Sequence, residues 1–293
     1  MKIVITDSGL GGLSVLGELE SRLNKLPIYQ NAELIFFNSL YSSNYGYNSM
    51  SSMEEKALVF NNALNSMLDN YNPDIILIAC NTLSVVYPHT DFSKSTKIPV
   101  YGILESGVNL FWNQLEQQSD KIILFGTPTT ISSNSYKKLL IEKGVGENQI
   151  INQSCPELET KIQNNPNSQE SKQEIAKFIN SAIGQLAKSP QRLFAGLCCT
   201  HYWFSEDIFY EELSKANNGE VKILNPNTVM LDFLFQKMNK LYSATNISVK
   251  VVSQVKLKNN EINSFGNVLS INSLLTSDAL SSYDFVEELF GKT

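Results

Sequence analysis

Two of the four cysteines, Cys80 and Cys199, stand where an apolar run gives way to small polar residues. IILIA leads into Cys80-Asn81-Thr82, and LFAGLC leads into Cys199-Thr200-His201. A thiol titrates nearer neutrality than an alcohol or an ammonium group, so it can serve as thiolate base or thiol acid. Inverting the α-carbon of an amino acid requires removal of a proton from one face and its return to the other. Two thiols on opposite sides of a substrate can do this without moving it. The α-proton of a zwitterionic amino acid is very weakly acidic. Such a site must therefore stabilise the carbanion electrostatically and keep water away.

The neighbours of these thiols suit the same chemistry. Asp7 follows the apolar run IVIT and precedes Ser8-Gly9-Leu10-Gly11-Gly12. It reads either as a residue that positions or relays a proton for Cys80, or as the cap of the next helix. His201 lies two residues beyond Cys199, close enough to exchange a proton with it. Gly126-Thr127-Pro128-Thr129-Thr130 opens a helix whose free N–H groups suit a carboxylate, and plain capping by Thr127 or Thr130 is compatible with that. The glycines after Asp7 let backbone approach an anion, but they lack the G-x-G-x-x-G spacing of a dinucleotide site. Cys155 has no comparable company and reads as structural. Cys198 must point to the opposite side of its strand from Cys199, into the core. His89, after Tyr87-Pro88, reads as a surface turn residue. With no paired C-x-x-C and only two histidines, a zinc or His-rich metal centre is not expected.

Strand-like runs occupy residues 2–6, 33–37, 74–79, 98–103, 121–125, 149–151, 192–197 and 221–224. Helix-like stretches lie between most of them, for example 53–68, 133–143 and 169–186. This alternation predicts an α/β fold with mostly parallel strands, and the unbroken apolar runs predict strands buried on both faces. Asp7 to Cys80 and Thr127 to Cys199 are separated by nearly equal stretches, differing by one position. The chain therefore reads as two similar α/β domains, 1–97 plus 206–293 and 98–205, facing across a central cleft. Ligands of parallel sheets bind beyond the C-terminal strand ends, so each domain would supply one thiol. In the tail, 249–255 reads as a strand and 284–290 as a terminal helix, and 259–277 has no clear period.

Composition narrows the partners. The 293 residues carry a net charge of -6, which argues against a nucleic-acid binder. Arg22 and Arg192 are the only arginines, so an anionic substrate is expected to be held by N–H groups, hydroxyls and amides rather than by Arg clamps. No run is long enough for a membrane span, and the start of the sequence lacks a signal-peptide pattern, so a cytoplasmic protein without membrane contact is expected. No lysine stands at a strand-end loop of these motifs to hold pyridoxal phosphate. A small-molecule amino-acid substrate is the expected partner, and a homodimer is an assembly left open.

Together these motifs resemble the glutamate racemases of the aspartate/glutamate racemase superfamily. They are Asp7-Ser8-Gly9-Leu10-Gly11-Gly12-Leu13-Ser14-Val15, Ala79-Cys80-Asn81-Thr82, Gly126-Thr127-Pro128-Thr129-Thr130, Cys155-Pro156 and Cys199-Thr200-His201-Tyr202, in the family's order. Asn44-Tyr45-Gly46 resembles the family's Pro-Tyr-Gly substrate loop. The resemblance implies Cys80 and Cys199 as the two bases, assisted by Asp7 and His201. It implies a pocket lined by Ser8, Tyr45, Gly46, Asn81, Thr82, Thr127, Thr130 and Thr200. It also implies no cofactor, no metal, a chain end that returns to the first domain, and a D-glutamate product used in peptidoglycan synthesis. The chain departs from the family at Asn44, which replaces Pro, at Trp203, which replaces Pro, and at Gln163. Gln163 falls where the family carries a Glu and cannot act as a base. The readings left open are an aspartate or other amino-acid racemase, a maleate-type isomerase, and a non-catalytic binding protein on the same scaffold.

Overall fold

Strands with no polar alternation must be covered on both faces, and in this chain they assemble into two parallel sheets. The computed structural model describes residues 1–236 and 240–291. They divide into two compact units: residues 1–103 with those from 230 onward, and residues 104–229. The first holds a six-stranded sheet of order β10-β9-β2-β1-β3-β4, with β1 Lys2–Asp7, β2 Asn31–Asn38, β3 Ile75–Ile78, β4 Val100–Gly102, β9 Asn246–Ser253 and β10 Asp284–Phe285. The second holds a four-stranded sheet of order β6-β5-β7-β8, with β5 Lys121–Gly126, β6 Ile150–Ser154, β7 Arg192–Cys198 and β8 Glu220–Leu224. Every pairing in both sheets is parallel. Among the described residues, no helix is long and apolar enough to cross a membrane.

The unit boundaries fall later in the chain than the sequence reading of 98–205 for the second domain. Residues 100–102 pair with β3 and stay with the first sheet. Residues 220–224 pair with β7, which keeps the segment before them in the second unit. Strand pairing, which a single sequence does not print, decides both crossings.

Helix Met53–Tyr71 shows how the first core forms. Ser52 caps it by accepting from the Glu55 N–H, and Asn72 ends it in the left-handed conformation. Val59, Phe60, Ala63, Leu64 and Met67 share one face at helical spacing. They pack with Val4, Ile35, Phe37, Ile76 and Ile78 of the sheet. In the second unit Val108 and Phe111 pack with Ile122, Leu124 and Phe194 in the same way. The helix expected over 133–143 is Ser135–Glu142, and Asn134, with a left-handed φ of 56°, separates it from the short helix Pro128–Ser132 before it.

The tail is part of the first unit. Strand β9 pairs along the whole of β2. The stretch 259–277, without a legible period, forms helices Asn259–Leu269 and Leu274–Ser281. The terminal helix expected over 284–290 is absent. Residues 284–285 instead form β10, with Lys250 paired to Asp284 at 2.8 Å and the Val286 N–H donating to the Ser253 carbonyl at 3.0 Å. Leu289 and Phe290 then fill the core beside Phe37. Apolar residues that mimic a helical face are here a plug at the sheet edge.

A buried carboxylate locks this tail in place. Glu20, on helix Leu13–Lys25, accepts from the Leu275 N–H at 3.0 Å, the Thr276 N–H at 2.8 Å and the Thr276 hydroxyl at 2.7 Å. It thereby satisfies N–H groups in the first turn of the last helix. Gly17, one turn earlier, permits the contact, since a Cβ there would lie 2.6 Å from Ser273 Oγ. Glu20→Ala leaves three donors, the two of Thr276 buried, without their acceptor. It should cost about 3 kcal/mol of stability in urea denaturation; a loss below about 1 kcal/mol would contradict the lock.

Candidate active site

The first cluster forms where β1 and β3 end side by side. Asp7 closes β1 and Cys80 follows β3, both buried. Cys80 is the N-cap of the short helix Asn81–Val86, and its Sγ accepts from the Leu83 N–H at 3.5 Å. Ser8 Oγ lies 3.1 Å from the same sulfur. Asn81 and Thr82 occupy the first turn of that helix and are buried. Helix Leu13–Lys25 starts from Gly12 rather than from Asp7. A Cβ at Gly12 would stand 2.9 Å from Asp7 Cβ and 3.0 Å from Asp7 Oδ2, so only glycine lets the loop fold over the carboxyl group. Burial, and then the neighbouring Asp7, push the Cys80 thiol up to about 12. The hydrogen bonds from Ser8 and Leu83 act in the opposite direction. Cys80 in the free protein is therefore a thiol at neutral pH.

Tyr45 and Gly46 lie on the loop after β2. Tyr45 is on the surface, and its hydroxyl donates to Glu55 Oε1 at 2.8 Å. Glu55 also accepts from the Ser51 N–H and hydroxyl. This pins the loop to the start of helix Met53–Tyr71 and engages the Tyr45 phenol with Glu55. Tyr47 is the ring of this loop that turns inward. It is buried and stacks edge-on against Phe60, and burial, followed by the neighbouring Cys80, pushes its phenol up. Among the described residues its hydroxyl has no protein hydrogen-bond partner. The sequence reading missed Tyr47, although alternation along the loop places residues 45 and 47 on one side only in an extended strand, and this loop is not one.

The second cluster forms at the end of β7. Cys198 points into the core and donates to the Gly196 carbonyl at 3.7 Å, as its alternation with Cys199 requires. Cys199 begins a tight turn over Thr200–Ser205, and its Sγ lies 3.9 Å from His201 Nδ1. His201 Nε2 donates to Gln163 Oε1 at 2.8 Å. Burial pulls His201 down to about 4, so its ring is neutral at neutral pH. Thr127 and Thr130 bracket the first turn of helix Pro128–Ser132, with their hydroxyl oxygens 3.1 Å apart. Thr200 is buried, and its carbonyl accepts from the Asn227 amide at 3.1 Å. Asn227 is in turn held by its N–H bond to Asn225 Oδ1. Asn227 escaped the sequence reading; the only signal was the turn-forming run Asn225-Pro226-Asn227.

The remaining candidates occupy structural places. Cys155 is fully buried beside Tyr202, and burial pushes its thiol far up. His89 is exposed in a single 3-10 turn. Arg22 pairs with Glu18 and Asp232, and Arg192 with Asp120, Glu116 and Glu220. Among the described residues, no group of three or more His, Cys, Asp or Glu side chains is placed to hold a metal ion. Cys80 in the first unit and Cys199 in the second thus each stand beside polar side chains.

Residues 11–189 match the model of the Asp/Glu/Hydantoin racemase family. The chain belongs to that family. The matched segment contains Cys80, Tyr45 and Thr127, while Asp7, Ser8, Cys199 and His201 lie outside it. The enzyme is 28% identical over 245 residues to the glutamate racemase of Campylobacter jejuni, covering 82% of this chain and 86% of that protein. It is 31% identical over 215 residues to the glutamate racemase of Clostridium botulinum, covering 71% and 74%. Its fold matches the glutamate racemase of Francisella tularensis, solved in complex with D-glutamate, with a TM-score of 0.69 at 21% identity over 94% of this chain and 93% of that one.

Removing the charge of Asp7 should make Cys80 easier to ionise. In Asp7→Asn, the pH midpoint of the Cys80 Cβ resonance, read by ¹³C NMR on the free enzyme, should fall below its wild-type position. A midpoint that stays or rises would mean that Asp7 does not act on this thiol.

Proposed function

We propose that this enzyme interconverts L- and D-glutamate without a cofactor, using Cys80 and Cys199 as its two acid/base groups. The observation that carries this reading is that each unit buries a thiol at a parallel strand end beside a group able to accept or relay its proton. Cys80 has Asp7 and Ser8, and Cys199 has His201. One sulfur, as thiolate, removes the α-proton from one face of the substrate. The other, as thiol, delivers its proton to the opposite face. The two cysteines end with exchanged protonation states, and the substrate is inverted with no net change in atoms. In the free enzyme the Cys80 thiol is the ready acid, and neutral His201 is the ready acceptor for a proton leaving Cys199.

Ser8, Asn81 and Thr82 of the first unit and Thr127, Thr130 and Thr200 of the second are the hydroxyls and amides that would bind the substrate's ammonium and carboxylate groups. Tyr45 and Gly46 contribute through their backbone, since the Tyr45 phenol is engaged by Glu55. Glutamate as substrate is supported by the relatives named as glutamate racemases and by the D-glutamate complex of a protein with the same fold. The D-glutamate formed would serve peptidoglycan synthesis in the cytoplasm.

The decisive measurement is incubation with L-glutamate in D₂O, without added cofactor, with L-aspartate in parallel. α-Deuterium uptake with loss of optical rotation on glutamate is expected. Turnover of aspartate alone would move the assignment to a neighbouring racemase, and exchange on neither would favour another substrate or a binding role. Cys80→Ala and Cys199→Ala should each abolish racemisation, whereas Cys155→Ala should leave turnover nearly unchanged. Substantial activity in either of the first two variants would sink the two-base mechanism.

A further inference from the structure

Resting on that reading of Cys199, we propose that Gln163 is a positioning residue that fixes the tautomer of His201 and keeps the Cys199 acid/base pair uncharged. An amide oxygen can only accept. The 2.8 Å contact between Gln163 Oε1 and His201 Nε2 therefore places the ring proton on Nε2. A neutral imidazole then carries its lone pair on Nδ1, the atom that faces Cys199 Sγ at 3.9 Å. The thiol can pass its proton to Nδ1, producing thiolate and imidazolium, and Nε2–H remains bonded to Gln163 throughout. In the opposite tautomer, Nδ1–H would face the thiol and the ring could not accept.

A carboxylate at position 163 would accept the same hydrogen bond but would also stabilise the charged ring. The amide supplies the orientation without the charge. The groups around His201 agree with this. On its own turn the titratable neighbours are Cys199 and Tyr202. On helix Leu158–Asn164, Glu159 acts on Cys155 and Tyr202, and Lys161 pairs with Glu170 and Glu174. On helix Glu206–Ala216, Glu206 accepts from Asn225. From β7, Cys198 is turned into the core. Burial lowers the basicity of His201. The two thiols are therefore served differently: Cys80 by an anion, Cys199 by a neutral base.

The test reads the ring itself. The chain has two histidines, so long-range ¹H–¹⁵N spectra of the ¹⁵N-labelled full-length enzyme resolve His201 beside the exposed His89. The expected wild-type pattern is the Nε2–H tautomer, unchanged from pH 8 down to pH 5.5. Gln163→Leu should lose that single tautomer. Gln163→Glu should keep it and become protonated at His201 at least one pH unit higher than wild type. The acid limb of its kcat/KM profile should move up in parallel. An Nδ1–H tautomer in the wild type, titration of wild-type His201 near 6.5, or a wild-type tautomer in Gln163→Leu would each overturn the assignment. The spectra need no turnover. Failure of glutamate to exchange in D₂O would refute the functional reading and leave the tautomer result intact.

Discussion

Burial of the two thiols is the constraint on which the rest of the site depends. A thiolate moved out of water loses its hydration, which disfavours the charged form. Cys80 shows the cost directly, with a pKa pushed up to about 12. Under the proposed mechanism the same burial would keep water from a carbanion. The side chains beside the two thiols differ in kind between the units. At Cys80 the neighbours are a carboxylate and a hydroxyl. At Cys199 the neighbour is an imidazole that burial keeps neutral.

The scaffold explains why such neighbours are available. The ends of parallel strands put a residue from one strand next to a residue from another, and the helix that follows begins with free N–H groups. β1 and β3 pair from Ile3 with Ile75 to Thr6 with Ile78, so Asp7 comes level with Ala79, and Ser8 and Cys80 follow one position on. The pairing of β5 with β7 brings Gly126 opposite Cys198, and the Thr127 and Cys199 loops leave from there. Small residues then set how closely the loops fold, with Gly12 as the clearest case, where any side chain would collide with Asp7. The tail contributes rigidity rather than chemistry, through Glu20 and the buried Leu289 and Phe290.

Much of this was legible beforehand. Unbroken apolar runs marked the central strands because strands covered on both faces have no polar period to hide. The catalytic candidates stood out because each follows such a run at once. Tyr45 was less legible: its motif position was clear, but the direction of its phenol depends on Glu55, ten residues later on another element. Tyr47 and Asn227 carried almost no signal, since their importance comes from what they approach. Residues 284–290 misled because a hydrophobic spacing of three and four fits both a helix and an extended segment that plugs a core.

By itself the sequence determined the α/β class, the loops that carry Cys80 and Cys199, and the identity of their chain neighbours Ser8, Asn81, Thr200 and His201. Those features follow from local propensity and from adjacency along the chain. Tertiary structure alone decided which strands pair, where the chain crosses between units, and which distant atoms meet the reactive groups. Gln163 is separated from His201 by 38 positions, yet its amide oxygen sits 2.8 Å from the ring. A hydrogen bond acts over a few ångströms in space and carries no mark in sequence separation.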